Sequence, residues 1–106
     1  MAYIANYSEV APDRAEIDAL PGSTLIEFGV DWCPHCQAAQ SFIEAALQAC
    51  PDLRFLKLED GPGRRLGRSF RVKLWPTLIL MRDGQEIGRV VRPASTPEIS
   101  ELLSSR

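Results

Sequence analysis

Hydrophobic and polar positions alternate along this chain in short blocks that predict a series of strands and helices. Residues 24–30 form a nearly unbroken apolar run, the pattern of a strand covered on both faces, interrupted by Glu27. Residues 34–49 repeat apolar positions at helical spacing until Pro51 ends the helix. The other predicted elements are strands over 3–7, 53–58, 77–82 and 85–91, and helices over 12–20, over 64–70 and from Ser95-Thr96-Pro97-Glu98 onward.

The order of these elements is β-α-β-α-β-α-β-β-α, which predicts an α/β fold. We expect a mixed central sheet of four to five strands with helices on both faces. Asp83-Gly84 joins the last two strands as a two-residue hairpin turn of type I′. A length of 106 residues, 45% of them hydrophobic and 25% charged, predicts a single globular domain over 1–106.

Charge and hydropathy exclude several classes of partner. The net charge is −2, which disfavours nucleic acid and anionic membranes as partners. No run approaches the ~18 apolar residues that a membrane helix requires, and the first basic residue is Arg14, so the charged start of a signal peptide is missing. We therefore expect a cytoplasmic protein. We also expect it to be a monomer.

The two halves of the chain differ in charge. Residues 1–50 carry seven acidic residues and one basic residue, whereas 51–106 carry seven acidic and eleven basic residues. Five of these bases lie within ten residues, at Arg64, Arg65, Arg68, Arg71 and Lys73. Such a run is typical of a solvated helix face, and an anion- or partner-docking patch is the alternative.

The strongest chemical signal is Trp32-Cys33-Pro34-His35-Cys36, between the buried strand and the long helix. A zinc site needs about four ligands, but Cys50 lies fourteen residues beyond Cys36 on the same helix, ~21 Å away. Cys50 is therefore expected to be an inert core thiol, and no metal site is expected. Covalent haem requires a histidine directly after the second cysteine, where Gln37 stands. The remaining interpretation is a reversible dithiol/disulfide pair that needs no cofactor.

The position of the pair at a helix start assigns different roles to the two cysteines. With Pro34 at the first helical position, Cys33 becomes the N-cap and faces the unpaired amides of His35 and Cys36. Those amides and the helix dipole favour a Cys33 thiolate, which predicts Cys33 as the nucleophile and Cys36 as the resolving thiol. A partly protonated His35 would stabilise the thiolate further, and the alternative is an exposed residue without consequence.

Over nearly its full length the chain resembles the thioredoxin family. The matching pieces are Glu27-Phe28, the Trp32-Cys33-x-x-Cys36 centre, Lys57, Trp75-Pro76-Thr77, the Asp83-Gly84 hairpin and the final helix. The resemblance implies a thioredoxin fold and a thiol–disulfide oxidoreductase that acts on disulfide-containing proteins. It also implies a recycling partner, such as a thioredoxin reductase or glutathione.

The resemblance further implies roles for residues outside the cysteine pair. In the family, the proline matching Pro76 is cis and lies against the disulfide, where the neighbouring backbone pairs with an incoming peptide. Glu27 matches a buried carboxylate, usually Asp, that assists proton transfer at Cys36; a solvent-facing Glu27, or one paired with Lys57, is the alternative. The expected substrate-binding residues are Trp32, Pro34, Trp75, Lys73, Val91 and Arg92.

Three sites in the chain depart from the family pattern. Pro34-His35 replaces the usual Gly-Pro and matches periplasmic oxidants of the DsbA type, Gly29 replaces a second tryptophan, and Arg92-Pro93 replaces a glycine that admits the substrate backbone. We expect reduction of protein disulfides by a couple more oxidising than that of ordinary thioredoxin. The alternatives are an adaptor or redox-sensing module with little turnover, a glutaredoxin-like activity, and a disulfide oxidase or isomerase.

Overall fold

A computed structural model describes residues 3–106 and contains one four-stranded mixed sheet. The strand order is β2-β1-β3-β4, with β1 parallel to β2 and antiparallel to β3, and β3 antiparallel to β4. The strands are β1 Ser23–Gly29, β2 Arg54–Glu59, β3 Thr77–Arg82 and β4 Gln85–Val91. The helices are α1 Arg14–Asp18, α2 Pro34–Gln48, α3 Arg65–Ser69 and α4 Thr96–Leu103.

The predicted strand over 3–7 is wrong. Residues 3–7 form no strand, and the residue that follows them, Ser8, makes an isolated parallel bridge with Leu58. The Ser8 amide donates to the Lys57 carbonyl at 2.8 Å, and the Glu59 amide donates to the Ser8 carbonyl at 2.9 Å. A single bridging residue does not extend a ladder, so the sheet has four strands, the lower end of the expected range.

Helices cover both faces of the sheet, as predicted. Alternate residues of β1 point to opposite faces, so Leu25 packs with α2 and α4 while Ile26 and Phe28 pack with α1 and α3. By the same alternation Glu27 points to the face covered by α2, where it bonds Gln40. Complete burial of such apolar side chains contributes about 1.5–3 kcal/mol each, so both faces of β1 stabilise the fold.

Local signals set most element boundaries. Asp83 and Gly84 both have positive φ, +49° and +83°, which a type I′ turn requires. α1 is shorter than the predicted 12–20, because Asp13 and Glu16 form a capping box that starts the helix at Arg14. In α4, Ser95 is the N-cap without a side-chain capping bond, and Pro97 stands in the first turn.

Candidate active site

Cys33 occupies the junction between β1 and α2. It is the N-cap of α2, with extended backbone (φ −82°, ψ 122°), and Pro34 opens the helix, as predicted. Pro34 suits this position because the N–H of the first helical residue has no acceptor within the helix, so a residue without an N–H loses no hydrogen bond there. The Cys33 sulfur therefore lies at the positive end of a fifteen-residue helix.

The two thiols of the motif form one buried cluster with Val30. Cys33 is 6% exposed and Cys36 is 1% exposed, and Tyr7 and Trp75 pack against them. Burial by itself raises the pKa of Cys33, but the Cys36 amide and thiol, the His35 amide and the Arg92 charge outweigh it, so the pKa is lowered. Cys33 is thus prepared to react as a thiolate.

Cys36 has the opposite electrostatic character. Burial, and the neighbouring Cys33 with which it shares a hydrogen bond, raise the pKa of Cys36 to about 11. The pair therefore combines one acidic sulfur with one that keeps its proton at neutral pH. All three cysteines are free thiols, and Cys50 lies in the core beneath α2 and α4.

Glu27 is completely buried beneath this pair. Its Oε2 accepts hydrogen bonds from the Tyr7 hydroxyl and from Gln40 Nε2, the latter at 3.0 Å, while Oε1 has no hydrogen-bond partner. The Nζ of Lys57 lies 4.0 Å from Oε1. Burial raises the pKa of Glu27, although Lys57 and Tyr7 partly oppose the shift. The solvent-facing alternative is therefore wrong; the pairing with Lys57 is present, and the role in proton transfer stays a prediction.

Lys57 is the buried cation of the same network. Its Nζ donates to the Ala5 carbonyl at 2.8 Å and to Gln40 Oε1, and lies 4.6 Å above the Tyr7 ring. Burial lowers the pKa of Lys57, with Glu27 opposing the shift. Cation and carboxylate are therefore held in one buried network next to Cys36.

Arg92 and Pro76 form the other side of the site. The Trp75–Pro76 peptide bond is cis, as the resemblance implied, and Pro76 is buried. The Arg92 amide donates to the Pro76 carbonyl at 2.9 Å, and Arg92 Nε donates to the Trp75 carbonyl at 2.8 Å. Arg92 has a φ of +51°, a conformation that disfavours a non-glycine residue. An exposed cation thus stands where the family pattern has glycine.

Apolar side chains surround the mouth of the site. Trp32 is 71% exposed and makes an edge contact with Trp75, with ring centroids 5.9 Å apart. The Trp75 indole N–H donates to Asp60 Oδ2 at 2.9 Å. Val91, which pairs with Thr77, is 43% exposed. Large exposed apolar side chains beside a reactive group are typical of a docking surface.

The remaining predicted residues lie at the periphery. Pro34 and His35 are exposed on the first turn of α2, and His35 acts on Cys33 through its backbone amide. Lys73 is exposed and lines, with Trp75 and Asp60, a cavity of about 280 Å³. The predicted role of Lys73 in substrate binding stays a prediction. A larger cavity of about 440 Å³, near Arg14 and Arg64, contains none of the predicted site residues.

Three residues of the site were not predicted. Gln40 follows Cys36 by four residues, a spacing that places both on one face of α2 and could have identified it. Asp60 follows the end of β2, where polar groups often serve sites. Tyr7 carries no such signal, because its contact with Glu27 crosses twenty residues of sequence.

Other classes of site find no support in the part of the chain that the structure covers. Among residues 3–106, no three histidine, cysteine or acidic side chains are grouped so that they could hold a metal ion. No helix in the same range is long and apolar enough to cross a membrane.

Comparison with known proteins agrees with the site geometry. The sequence model described as Thioredoxin matches residues 11–105. The thioredoxin of Chlamydia muridarum is 30% identical, over 90% of this chain and 93% of the relative, and that of Mycobacterium tuberculosis is 35% identical, over 74% and 72%.

A solved structure shows the same fold. The reduced form of thioredoxin 2 from Pseudomonas aeruginosa PAO1 is 55% identical, covers 95% of this chain and 94% of its own, and superposes with a TM-score of 0.86. This four-stranded mixed sheet with helices on both faces is a thioredoxin fold. The chain belongs to the thioredoxin family and is a thiol–disulfide oxidoreductase.

Proposed function

We propose that this protein reduces disulfide bonds in protein substrates through Cys33 and Cys36. The observation that carries the proposal is the asymmetry of the two thiols, one with a lowered pKa at a helix start and one with a pKa raised to about 11. A thiolate attacks a disulfide, whereas a protonated neighbour does not compete for the same substrate. The asymmetry therefore supports Cys33 as the attacking sulfur.

The reaction has two exchange steps. The Cys33 thiolate attacks a substrate sulfur, so that a Cys33–substrate bond forms and the other substrate sulfur leaves as a thiolate. Cys36 then loses its proton and attacks Cys33, forming the Cys33–Cys36 disulfide and releasing the second substrate thiolate. The enzyme is oxidised by two electrons and the substrate is reduced by two. A reductase that supplies a dithiol, or glutathione, then reduces the Cys33–Cys36 disulfide and returns the enzyme to its dithiol form.

The surface around the thiols supports a protein substrate. Trp32, Trp75 and Val91 offer apolar contact area, and the backbone beside Pro76 is the proposed pairing edge. Arg92 adds a positive charge close enough to lower the pKa of Cys33. Together with Lys73 it favours substrates that carry acidic residues next to the disulfide.

The redox potential is proposed to be more oxidising than that of ordinary thioredoxin. Stabilising the Cys33 thiolate stabilises the reduced form, and for this two-electron couple ~30 mV corresponds to ~1.4 kcal/mol. A protonated His35 on the first turn would add to the effect of the helix amides. The proposed compartment is the cytoplasm, whose redox potential keeps thiols reduced. The proposed direction of exchange is therefore reduction of the substrate.

Insulin reduction by dithiothreitol tests the proposal. Wild type should accelerate precipitation of the insulin B chain, and both Cys33→Ser and Cys36→Ser should abolish the acceleration, while Cys50→Ser should retain it because Cys50 lies away from the site. Equilibration with glutathione buffers then measures the potential. Inactivity of wild type would contradict the proposal, and turnover confined to small glutathione mixed disulfides would indicate a glutaredoxin-like activity instead.

A second candidate is an adaptor or redox-sensing module with little turnover. It is favoured by Arg92, because its Nε already donates a hydrogen bond to the Trp75 carbonyl, the backbone group beside the cis-proline that a substrate backbone would otherwise use. A Cys36→Ala variant traps clients as mixed disulfides with Cys33. Trapped oxidised clients support a reductase, newly exported clients support an oxidase or isomerase, and stable complexes formed without cysteine support the adaptor.

A further inference from the structure

The Tyr7 phenol stands between the resolving cysteine and the buried carboxylate. Its hydroxyl donates a hydrogen bond to Glu27 Oε2, and its ring packs against the cluster that contains Cys36. Main-chain hydrogen bonds of the next residue, Ser8, with β2 hold the segment in place. Tyr7 is therefore a positioned side chain and not a surface residue that happens to lie nearby.

Gly29 makes this approach possible. A Cβ built on Gly29 would lie 2.5 Å from the Tyr7 hydroxyl oxygen and 2.7 Å from the Cys36 sulfur, closer than real atoms allow. The hydroxyl and the sulfur thus meet in the space that any larger residue at position 29 would fill. The absence of a side chain at Gly29 and the presence of the phenol are two parts of one arrangement.

Cys36 needs a proton acceptor for the resolving step. With its pKa raised to about 11, the thiol is almost entirely protonated at neutral pH. The buried Glu27 carboxylate is a suitable final acceptor because burial raises its pKa. Burial and Glu27 also raise the pKa of Tyr7, so the phenol would pass a proton in concert and would not stand as a free tyrosinate.

Resting on the proposed function, we propose that Tyr7 is a catalytic residue that relays the proton of the Cys36 thiol to Glu27 during the resolving step. The phenol oxygen receives the thiol proton while its own proton moves to Oε2 of Glu27. The freed Cys36 thiolate attacks Cys33, the new disulfide forms, and the substrate sulfur leaves with the electron pair of the broken bond.

The surroundings supply a route for the proton to leave. A small cavity of about 130 Å³ is lined by Tyr7, Cys36 and Lys57, among others. The charged groups that face the relay are Lys57 from β2 and Asp31 from the loop before α2, and both influence the ionisation of Glu27. Because Tyr7 and Lys57, which contact Glu27, border this cavity, the proton can leave the network through it after each turnover.

The two phases of reaction with the aromatic disulfide 5,5′-dithiobis(2-nitrobenzoate) test the relay by stopped flow. The first phase reports attack by Cys33, and the second reports resolution by Cys36 with release of the second coloured thiolate. We expect Tyr7→Phe to leave the first phase unchanged and to slow the second at least ~10-fold at pH 7, since proton transfer by a positioned group contributes ~10²–10⁴-fold. The loss should shrink as the pH approaches 11.

The matched control is Tyr3→Phe. Tyr3 is the other tyrosine of the chain, and its hydroxyl bonds Gln40 of the same network at 2.9 Å. This variant should keep both phases. Circular dichroism of each variant checks that the fold is retained.

A double variant provides the second measurement. Because the relay acts in series, Glu27→Gln should slow the second phase about as much as Tyr7→Phe, and the double variant should be no slower than either. A second phase within twofold of wild type in Tyr7→Phe, a loss that does not change with pH, or additive losses would overturn the relay. Loss of the first phase in wild type would instead overturn the proposed function.

Discussion

Arg92 Nε donates a hydrogen bond to the carbonyl oxygen of Trp75 at 2.8 Å, and its backbone amide bonds the next carbonyl, that of Pro76. One residue of the β4–α4 connection thus bonds two consecutive carbonyls of the segment before β3. The same guanidinium lowers the pKa of Cys33. A position where the family pattern has glycine therefore both bonds the backbone beside the cis-proline and lowers the pKa of Cys33.

Removing this charge should make Cys33 less acidic. In Arg92→Gln the pKa of Cys33 should rise, because the thiolate loses an attractive charge. The pH dependence of iodoacetamide alkylation measures the pKa, and high salt should reduce the difference from wild type because the charge is exposed. Arg82→Gln, an exposed arginine at the end of β3, is the control and should match wild type. An unchanged pKa of Cys33 in Arg92→Gln would contradict the proposed electrostatic role of Arg92.

Alkylation of the reduced protein should be confined to one sulfur. At pH 7 Cys33 should take the label first, and Cys36 should react more than ~10-fold slower, since each unit between the pKa and the pH lowers the thiolate fraction tenfold. Peptide mass spectrometry locates the label. Raising the pH towards 11 should increase the Cys36 reaction as that thiol ionises. Equal labelling of both sulfurs at pH 7 would contradict the asymmetry on which the mechanism depends.

Glu27 should make stability depend on pH. Its pKa is raised in the folded protein, so the protonated form is favoured by folding, and the stabilisation is present below the ordinary pKa of 4.5 and declines as pH rises through the folded value. Urea unfolding of the reduced protein from pH 4 to pH 8 should show this decline. Glu27→Gln should flatten it, while Glu44→Gln, an exposed change on α2, should not. Parallel pH profiles for wild type and Glu27→Gln would show that Glu27 is not the source.

A methyl group at Gly29 should be destabilising. In Gly29→Ala the new Cβ meets Tyr7 and Cys36 below 3 Å, and overpacking a filled site costs about 1–3 kcal/mol. Gly88→Ala is the comparison, because its Cβ meets only the flexible end of Leu102 at 3.0 Å. Equal free energies of unfolding for the two variants would show that the space at Gly29 is not filled as described.

Much of the fold could be predicted because its signals are local. The hairpin at Asp83-Gly84 and the N-cap at Cys33 depend on the backbone preferences of a few adjacent residues, and both are present. The strand predicted over 3–7 failed for the complementary reason. Strand pairing depends on a partner elsewhere in the chain, and only the residue after this segment, Ser8, forms a bridge with β2.

The residues of the candidate site also divide into those that local sequence predicted and those that depend on distant contacts. Cys33 and Cys36 could be assigned because both lie on one helical turn, whose geometry follows from the residues themselves. Glu27 stood out as the one ionisable residue of an apolar run, and a pairing with Lys57 was stated as an alternative, but the contact with Tyr7 was not predicted. Tyr7 and Lys57 reach it from segments twenty and thirty residues away.

The amino-acid sequence alone was sufficient for the family, through motifs spread along the chain that resemble the thioredoxin family. It was also sufficient for the helix that starts at Cys33 and for the lowered pKa of Cys33, because these two rest on short-range backbone geometry and hydrogen bonding. Only the folded structure showed that Tyr7 and Cys36 approach each other over Gly29, that Glu27 is buried and pairs with Lys57 and does not face solvent, and that Arg92 bonds the Trp75 carbonyl. These contacts arise where segments distant in sequence pack together, and no short stretch of sequence specifies which side chains will meet there.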